Sequence, residues 1–276
     1  MNNDTFDGLA PLREIVSSFD LAAQKSLGQN FLMDLNLTYR IARTAGDLSN
    51  INVIEIGPGP GGLTRAILKC EAKKVISIER DERCIEALKY IRDKFPERFQ
   101  LIHGDALEQD VLKLAPPPRR IMANLPYNVA TPLLIGWLKR ANEFEGMTLM
   151  FQKEVADRLV AKPRTKAYGR LSVMTQWLCE VKCEFNIDRK AFTPPPKVVS
   201  TVVTLKPRAQ PLAPASWDAM EHVVATAFGQ RRKMLRQSLK PLGLNLESLD
   251  ISETSRAEEL SVEDFANLAR AFAGKS

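Results

Sequence analysis

The sequence predicts an α/β protein with a mostly parallel, doubly wound sheet and a small all-helical region after it. Short apolar strands alternate with helical patterns from about residue 50 to residue 205, which is typical of βαβ units. The first of these strands runs into a glycine-rich loop that opens a helix. Beyond the proline-rich stretch 206–214, only helical periodicity remains. We therefore expect two domains, 1–209 and 210–276.

Composition and charge narrow the class of protein. Of the 276 residues, 45% are hydrophobic and 26% are charged, as in ordinary globular proteins. A net charge of +6 and a pI of about 9.1 favour a polyanionic partner without identifying it. Four cysteines without a CxxC pair, beside two histidines, suggest neither a zinc site nor a disulfide framework. Without an apolar leader or a run of about 18 apolar residues, we expect a cytoplasmic protein that does not span a membrane.

The glycine-rich loop follows a predicted strand over 52–56. Glycines at 57, 59 and 61 fit a methyl-donor loop, but 57, 59 and 62 also satisfy the dinucleotide pattern, so spacing does not choose between them. Pro58 and Pro60 have no N–H group, which removes two donors from a pyrophosphate cradle. S-adenosylmethionine carries a cationic sulfonium and no phosphate, so this loop suits it better. A loop that only turns the chain remains the alternative.

Acidic residues stand at the ends of the first three predicted strands, which cover 52–56, 74–78 and 99–103. Glu79 lies close to the offset of about 20 residues at which an acid accepts ribose hydroxyls. Asp105 could accept a hydrogen bond from an adenine amine. Together with Glu55, these residues predict an acidic rim around the glycine loop.

A fourth loop carries the sequence Asn124-Leu125-Pro126-Tyr127 after a predicted strand over 120–123. We place the start of the next helix at Thr131-Pro132, with the threonine as N-cap. The Asn124 oxygen and a main-chain carbonyl can accept both N–H bonds of an exocyclic base amine, and Tyr127 can stack on a flipped-out base. The pattern predicts an amine-methylating site, with an ordinary turn as the alternative.

Two further segments are candidates for contact with nucleic acid. Phe192 opens a proline-rich loop over 192–197 that we expect to present its aromatic ring. A basic run over 162–170 fits a solvated loop and a nucleic-acid contact equally well. A predicted helix after Gly229 carries basic residues and no acidic residue. We interpret it as a stripe of cations that contacts phosphates, rather than as a face that is only solvated. Three of its side chains recur every four residues and share a face. The stripe consists of Arg231, Arg232, Lys233, Arg236 and Lys240.

From about residue 24 to the C-terminus, the chain closely resembles the bacterial small-subunit rRNA adenine-N6,N6-dimethyltransferase family. The motifs that carry this resemblance are Gln29-Asn-Phe-Leu, Glu55-Ile-Gly-Pro-Gly-Pro-Gly-Gly-Leu-Thr, Gly104-Asp-Ala, Asn124-Leu-Pro-Tyr-Asn, Phe192-Thr-Pro-Pro-Pro-Lys and Phe228-Gly-Gln-Arg-Arg-Lys-Met-Leu-Arg. The resemblance implies a Rossmann-like class I methyltransferase sheet with S-adenosylmethionine as methyl donor, and we expect no metal cofactor. It implies two adjacent adenosines near the 3′ end of 16S rRNA as substrate, each dimethylated. Pro60 is a departure, because many relatives carry another residue there.

The resemblance also assigns roles to residues and domains. Tyr127 and Phe192 are implied to lie around the target base. Residues 1–209 become the catalytic domain that binds the methyl donor, with 1–23 as an extension that the resemblance does not explain. Residues 210–276 become a helical rRNA-binding domain, and we expect a monomer. The implied donor contacts are Asn30, Leu32, Gly57, Glu79, Asp105 and Asn124.

Two alternatives stay open. One is a large-subunit rRNA or DNA adenine methyltransferase, because the pocket motifs barely encode which polymer is read. The other is a non-enzymatic RNA-binding assembly factor of the same fold, against which the intact Glu79, Asp105, Asn124 and Tyr127 argue. For an enzyme, we expect catalysis by orientation of the adenine amine, without a strong base.

Overall fold

A computed structural model describes residues 8–21, 23–24, 28–230 and 232–274, without the side chains of residues 127 and 128. No helix in this part of the chain is long and apolar enough to cross a membrane. The strands are β1 Phe31–Leu32, β2 Asn52–Ile56, β3 Lys74–Glu79, β4 Phe99–His103, β5 Arg119–Asn124, β6 Gly146–Gln152, β7 Cys179–Ile187, β8 Phe192–Thr193 and β9 Ser200–Pro207. The α-helices are α1 Leu12–Ser18, α2 Leu35–Arg43, α3 Gly62–Lys69, α4 Glu82–Lys94, α5 Val111–Leu114, α6 Tyr127–Leu138, α7 Lys153–Leu159, α8 Arg170–Leu178, α9 Trp217–Gly229, α10 Leu235–Ser238 and α11 Val262–Ala273.

The main sheet confirms the predicted α/β architecture. Its seven strands lie in the order β4-β3-β2-β5-β6-β9-β7. The pairs from β4 to β6 are parallel, whereas β9 runs antiparallel to β6. A second sheet consists of β1 and β8, which pair antiparallel. Strands β1, β7 and β8 are absent from the elements that the sequence predicted.

The central strand β2 is buried along its whole length, including Val53, Ile54 and Ile56. A parallel strand covered on both faces reads as a continuous apolar run, which is why it was recognisable. Because β2 to β5 are parallel, their carboxyl ends meet at one edge of the sheet. This edge carries the loops in which the sequence placed the site.

Helix α6 begins earlier than predicted. We expected Thr131 as the N-cap and Pro132 at the first helical position, but Pro126 is the N-cap and Pro132 lies inside the helix. The carbonyl oxygen of Pro126 already accepts hydrogen bonds from the N–H groups of Val129 and Ala130, at 3.1 and 3.2 Å. The helix therefore starts directly after the Asn124–Pro126 segment, which shortens the loop.

The chain divides into two compact units, and the division differs from the one predicted at residue 209. The first unit runs to Lys153 and includes Cys183–Leu205, and the second comprises Glu154–Lys182 and the chain from Lys206 onward. Segment 154–182 belongs to the second unit because its apolar side chains share a core with the C-terminal helices. This core contains Tyr168, Met174, Trp177, Met220, Val224, Phe265 and Leu268.

Candidate active site

A cleft opens at the carboxyl ends of β2 to β5, entirely within the first unit. Its empty volume is about 1210 Å³, including the space open to solvent. All six residues expected to contact the methyl donor line it, and so do Leu125 and Pro126 of the fourth loop. The Asn30 segment and the loops that follow β2, β3, β4 and β5 therefore converge on one cleft. The six are Asn30, Leu32, Gly57, Glu79, Asp105 and Asn124.

The glycine loop brings its backbone close to the cleft without offering hydrogen-bond donors. Gly57 has a φ of +65°, and a Cβ built on it would meet nothing within 4 Å. The N–H groups of Gly57, Gly59 and Gly61 donate to Ile78 O, Glu79 Oε2 and Pro58 O, at 2.9 to 3.0 Å. Since Pro58 and Pro60 have no N–H, no main-chain donor between residues 57 and 61 remains for a phosphate. The loop fits a ligand that carries no phosphate at this point.

Glu79 ends β3 and is 7% exposed. One carboxylate oxygen accepts the N–H of Gly59 at 3.0 Å, and the other accepts the N–H groups of Arg80 and Asp81 at 2.8 and 2.9 Å. Burial raises the pKa of Glu79, and these three hydrogen bonds oppose the rise. An ionised carboxylate offers about four acceptor sites, so one position remains for a donor such as a ribose hydroxyl.

Asp81 and Asp105 are two further acidic side chains that accept hydrogen bonds near the cleft. Asp81 accepts hydrogen bonds from the Gln29 amide at 2.9 Å and from the Arg83 guanidinium at 2.7 Å. Asp105 accepts the N–H of Leu107 at 2.9 Å and pairs with the exposed Arg80 at 3.2 Å. The sequence did not identify Gln29 or Asp81, although Gln29 stands beside Asn30 in the same motif.

Glu55 lies behind the glycine loop, so the expectation that it forms part of the rim is wrong. It is 1% exposed, and its Oε2 accepts hydrogen bonds from Thr64 Oγ1 at 2.7 Å and Ser77 Oγ at 2.6 Å. Burial raises the pKa of Glu55 to about 7, and the two hydroxyl bonds oppose the rise. Its Oε1 has no partner among the described residues. The side chain joins β2 to β3 and to α3, directly below the loop.

Asn124 is the last residue of β5, and its amide is held by the segment that precedes β1. The Nδ2 group donates to the main-chain oxygen of Asn30 at 3.1 Å. Asn30 in turn donates its own Nδ2 to Gly28 O at 3.2 Å. Within the described part of the chain, nothing donates a hydrogen bond to Asn124 Oδ1. This oxygen can therefore accept a hydrogen bond from a bound amine.

The pairing of β1 with β8 joins the Asn30 segment to the proline-rich loop. Phe31 is opposite Thr193, and Leu32 is opposite Phe192. Phe192 is 2% exposed and packs in the core of the first unit, so the expectation that it presents its ring is wrong for this structure. It is not among the residues that line the cleft. The side chain of Tyr127, the other predicted base contact, lies outside the described residues.

The basic stripe of the second unit does not form the predicted helix. Arg231 lies outside the described residues, Arg232 and Lys233 precede α10, and Lys240 begins a 3₁₀ turn. The N–H groups of Leu235 and Arg236 donate to the carbonyl oxygens of Ser255 and Glu253 instead of to the preceding helical turn. The shared face is therefore absent, although Arg232, Lys233, Arg236 and Lys240 are all exposed.

The basic run over 162–170 is partly engaged within the second unit. Arg170 pairs with Glu221 at 2.9 Å, and the N–H of Arg164 donates to Glu258 O at 2.7 Å. Both residues, like Lys162, are nevertheless exposed.

Two solved structures share this fold. A dimethyladenosine transferase from Plasmodium falciparum matches with a TM-score of 0.79 and 29% identity, covering 89% of this chain and 98% of that one. The 23S rRNA methyltransferase ErmE matches with a TM-score of 0.66 and 29% identity, covering 88% and 100%. Together with the donor-poor glycine loop and the acid that ends β3, they define a class I methyltransferase.

The chain belongs to the ribosomal RNA adenine dimethylase family, whose model matches residues 21–274. Ribosomal RNA small subunit methyltransferase A from Rhodospirillum rubrum is 61% identical, over 96% of this chain and 93% of that protein. The protein of the same name from Paramagnetospirillum magneticum is 60% identical, over 95% of each. Family membership implies S-adenosylmethionine as the methyl donor and ribosomal RNA as the substrate.

Proposed function

We propose that this protein transfers methyl groups from S-adenosylmethionine to N6 of two adjacent adenosines near the 3′ end of 16S rRNA. The products are N6,N6-dimethyladenosines in the small ribosomal subunit or its precursor, formed during ribosome biogenesis. The observation that carries the proposal is the arrangement of Asn124, whose Oδ1 stands free at a cleft lined by every expected donor contact. The relatives that match at 61% and 60% identity are both named for the small subunit.

The cleft suits the methyl donor by its charge and its acceptors. When bound, S-adenosylmethionine supplies an electrophilic methyl group on a cationic sulfonium. Glu79 and Asp105 contribute negative charge at the cleft, and the remaining acceptor position of Glu79 suits a ribose hydroxyl. Asn30, Leu32 and Gly57 complete the proposed contacts from the neighbouring loops.

The residues at the end of β5 orient the target amine. Asn124 Oδ1 accepts one N–H of the adenine amine, and a main-chain carbonyl of the Asn124–Pro126 segment accepts the other. Two acceptors in these positions favour a pyramidal nitrogen and aim its lone pair at the methyl group, which is catalysis by orientation. The methylated amine is cationic and acidic and releases its proton to water, so no residue has to act as a strong base. Tyr127 supplies a stacking surface for the base in this proposal.

Cationic residues on both units support an RNA substrate. On the first unit, Arg189, Lys190 and Lys197 are exposed and form no ion pair with any described residue. They flank the β8 segment, and Arg189 donates a hydrogen bond to Lys197 O at 3.3 Å. On the second unit, we assign phosphate contacts to Arg231, Arg232, Lys233, Arg236 and Lys240. Exposed cations that follow a chain of phosphates account for most nonspecific affinity for nucleic acid.

The proposal includes a cytoplasmic protein that acts as a monomer. The described residues that line the cleft all belong to the first unit. It assigns no role to a metal ion. The competing candidate is methylation of large-subunit rRNA, for which the 23S rRNA methyltransferase ErmE, at 29% identity, is the structural relative.

One assay separates these substrates. Labelled S-adenosylmethionine is offered with isolated small subunits that lack this methylation, with large subunits and with duplex DNA, and the methylated nucleoside is identified after digestion. We expect N6,N6-dimethyladenosine in small-subunit RNA alone, and its formation at least about 100-fold slower with the Asn124→Ala variant. Label in large subunits or in DNA would show that the enzyme methylates that polymer, and the proposed substrate would be wrong. No transfer to any of the three would contradict the proposed enzyme.

A further inference from the structure

The segment from Gly8 to Leu21 packs on the half of the first unit that forms the proposed donor site. Nearly all of it precedes residue 21, where the match to the family model begins. It contains helix α1, and four of its apolar side chains are buried. These are Leu9, Leu12, Ile15 and Leu21.

The first attachment of this segment is to helix α3, which directly follows the glycine loop. Arg65 of α3 is 1% exposed and donates its Nη1 to the carbonyl oxygen of Ala10 at 2.8 Å. Its Nε and Nη2 have no partner among the described residues. Leu12 lies close to the first residue of α3, since a Cβ built on Gly62 would be 3.2 Å from Leu12 Cδ2. The segment therefore covers the start of α3.

The second attachment is through Phe31. Ile15 and Leu21 form one buried cluster with Phe31 and with Cys84 of α4. The Phe31 ring also packs on the glycine loop, because a Cβ built on Gly59 would lie 3.1 Å from it. Ile15 and Leu21 of the N-terminal segment thus pack with Phe31, and the Phe31 ring in turn contacts the glycine loop.

The third attachment leads to Glu79 through a chain of hydrogen bonds. Arg83 donates to the carbonyl oxygen of Asp20 at 3.4 Å and to the carboxylate of Asp81 at 2.7 Å. Asp81 donates its N–H to Glu79 at 2.9 Å and accepts the Gln29 amide. All three attachments end on groups that line the proposed donor site or hold it in place.

We propose that residues 8–21 act as a positioning element for the methyl donor, which they do not contact themselves. The segment holds the glycine loop, Phe31 and the turn after Glu79 in the binding arrangement before the donor arrives. Such preorganisation strengthens binding by removing the cost of ordering these groups. The inference rests on the proposed donor site, and the experiments below separate the failure of one from the failure of the other.

Hydrogen exchange on the unmodified full-length protein tests the coupling directly. If docking of the segment strengthens donor binding, donor binding must stabilise docking by the same factor. S-adenosylhomocysteine is the probe, because it occupies the donor site without transferring a methyl group. At saturation we expect amide exchange in α1 to slow by about tenfold, the factor that follows from about 1.4 kcal/mol of coupling. Protection of residues 57–62 without protection of α1 would overturn the inference, whereas no binding at all would overturn the proposed donor site.

Substitutions within the segment give the reciprocal measurement. The double variant Leu12→Ala with Ile15→Ala removes two buried side chains, and Phe19→Ala, at a side chain 41% exposed, is the control on the same segment. We expect the double variant to weaken S-adenosylhomocysteine binding by about tenfold, with turnover at saturating donor and RNA affinity both unchanged. A merely structural cover would lower the melting temperature and leave donor affinity within about twofold of the control. That result would refute the proposal, and if the double variant does not fold, the exchange experiment decides.

Discussion

Replacing Glu79 by glutamine tests the donor site at its most connected residue. The substitution keeps the shape of the side chain and removes its charge. In the structure, one oxygen accepts the Gly59 N–H and the other accepts those of Arg80 and Asp81. A glutamine has one oxygen and one NH₂ group, so in either orientation its NH₂ faces at least one of these donors.

The magnitude follows from these contacts. A buried N–H group without an acceptor costs about 1 to 3 kcal/mol, and a hydrogen bond to a charged acceptor contributes about 1.5 to 3 kcal/mol. Burial raises the pKa of Glu79, so the neutral side chain relieves part of the desolvation cost and offsets part of the stability loss. This relief does not strengthen the hydrogen bond from the ribose hydroxyl of the methyl donor. We therefore expect affinity for the methyl donor to fall by about 10- to 150-fold, which corresponds to about 1.5 to 3 kcal/mol. The free energy of unfolding should fall by less than that.

Calorimetry with S-adenosylhomocysteine measures the first quantity, and thermal unfolding measures the second. The control is Glu86→Gln, at an exposed carboxylate of α4 that pairs with Lys89. Affinity for 16S rRNA should be unchanged in both variants. If Glu79→Gln binds S-adenosylhomocysteine as tightly as the control does, Glu79 is not an acceptor for the donor, and its hydrogen bonds serve only the loop.

Three further predictions concern catalysis, RNA binding and pH. Asn124→Ala should lower turnover at saturating donor and RNA by at least about 100-fold, or about 2.7 kcal/mol, with little change in RNA affinity; near-normal turnover would exclude the Asn124 mechanism. Neutralising Arg232, Arg236 and Lys240 together should reduce the slope of log affinity against log salt by about 0.7 to 0.9 for each phosphate that is no longer bound, and an unchanged slope would show that these side chains are merely solvated. The raised pKa of Glu55, about 7 in the folded chain against about 4.5 unfolded, means that its protonation stabilises the fold at low pH. That stabilisation of about 3 kcal/mol should fade as pH rises from about 4.5 to about 7, and a stability profile that Glu55→Gln leaves unchanged would contradict it.

The strands that form the donor side of the cleft could be predicted because local sequence determines them. Asn52–Ile56 and Phe99–His103 have the bounds that their apolar runs between turn residues predicted. Strand β7 also has a local signal, because Cys179–Ile187 alternates polar and apolar residues with the period of a strand. Its half-buried side chains follow that alternation only in part.

Features that depend on distant contacts could not be predicted in the same way. Strands β1 and β8 have two residues each, too few for periodicity, and their pairing joins segments about 160 residues apart. The spacing of Arg232, Arg236 and Lys240 indicates a helix, but the main chain at Leu235 and Arg236 bonds to residues 253–255 instead. The sequence also does not reveal that Glu55 is buried. A strand covered on both faces gives no indication of which polar side chain turns inward.

The main-chain oxygen of Asn30 determines which end of the Asn124 amide is available for catalysis. Because Nδ2 donates to that oxygen at 3.1 Å, Oδ1 is the end left to accept a hydrogen bond, as an amine substrate requires. The Asn30 segment is itself held by Phe31 and Leu32, through β8 on one side and the glycine loop on the other. Aspartate at position 124 would keep an acceptor but would set a second oxygen against Asn30 O, so this contact selects for an amide. The segment that borders the donor cleft thereby also orients the group proposed to hold the target base, so both reactants depend on the same few residues.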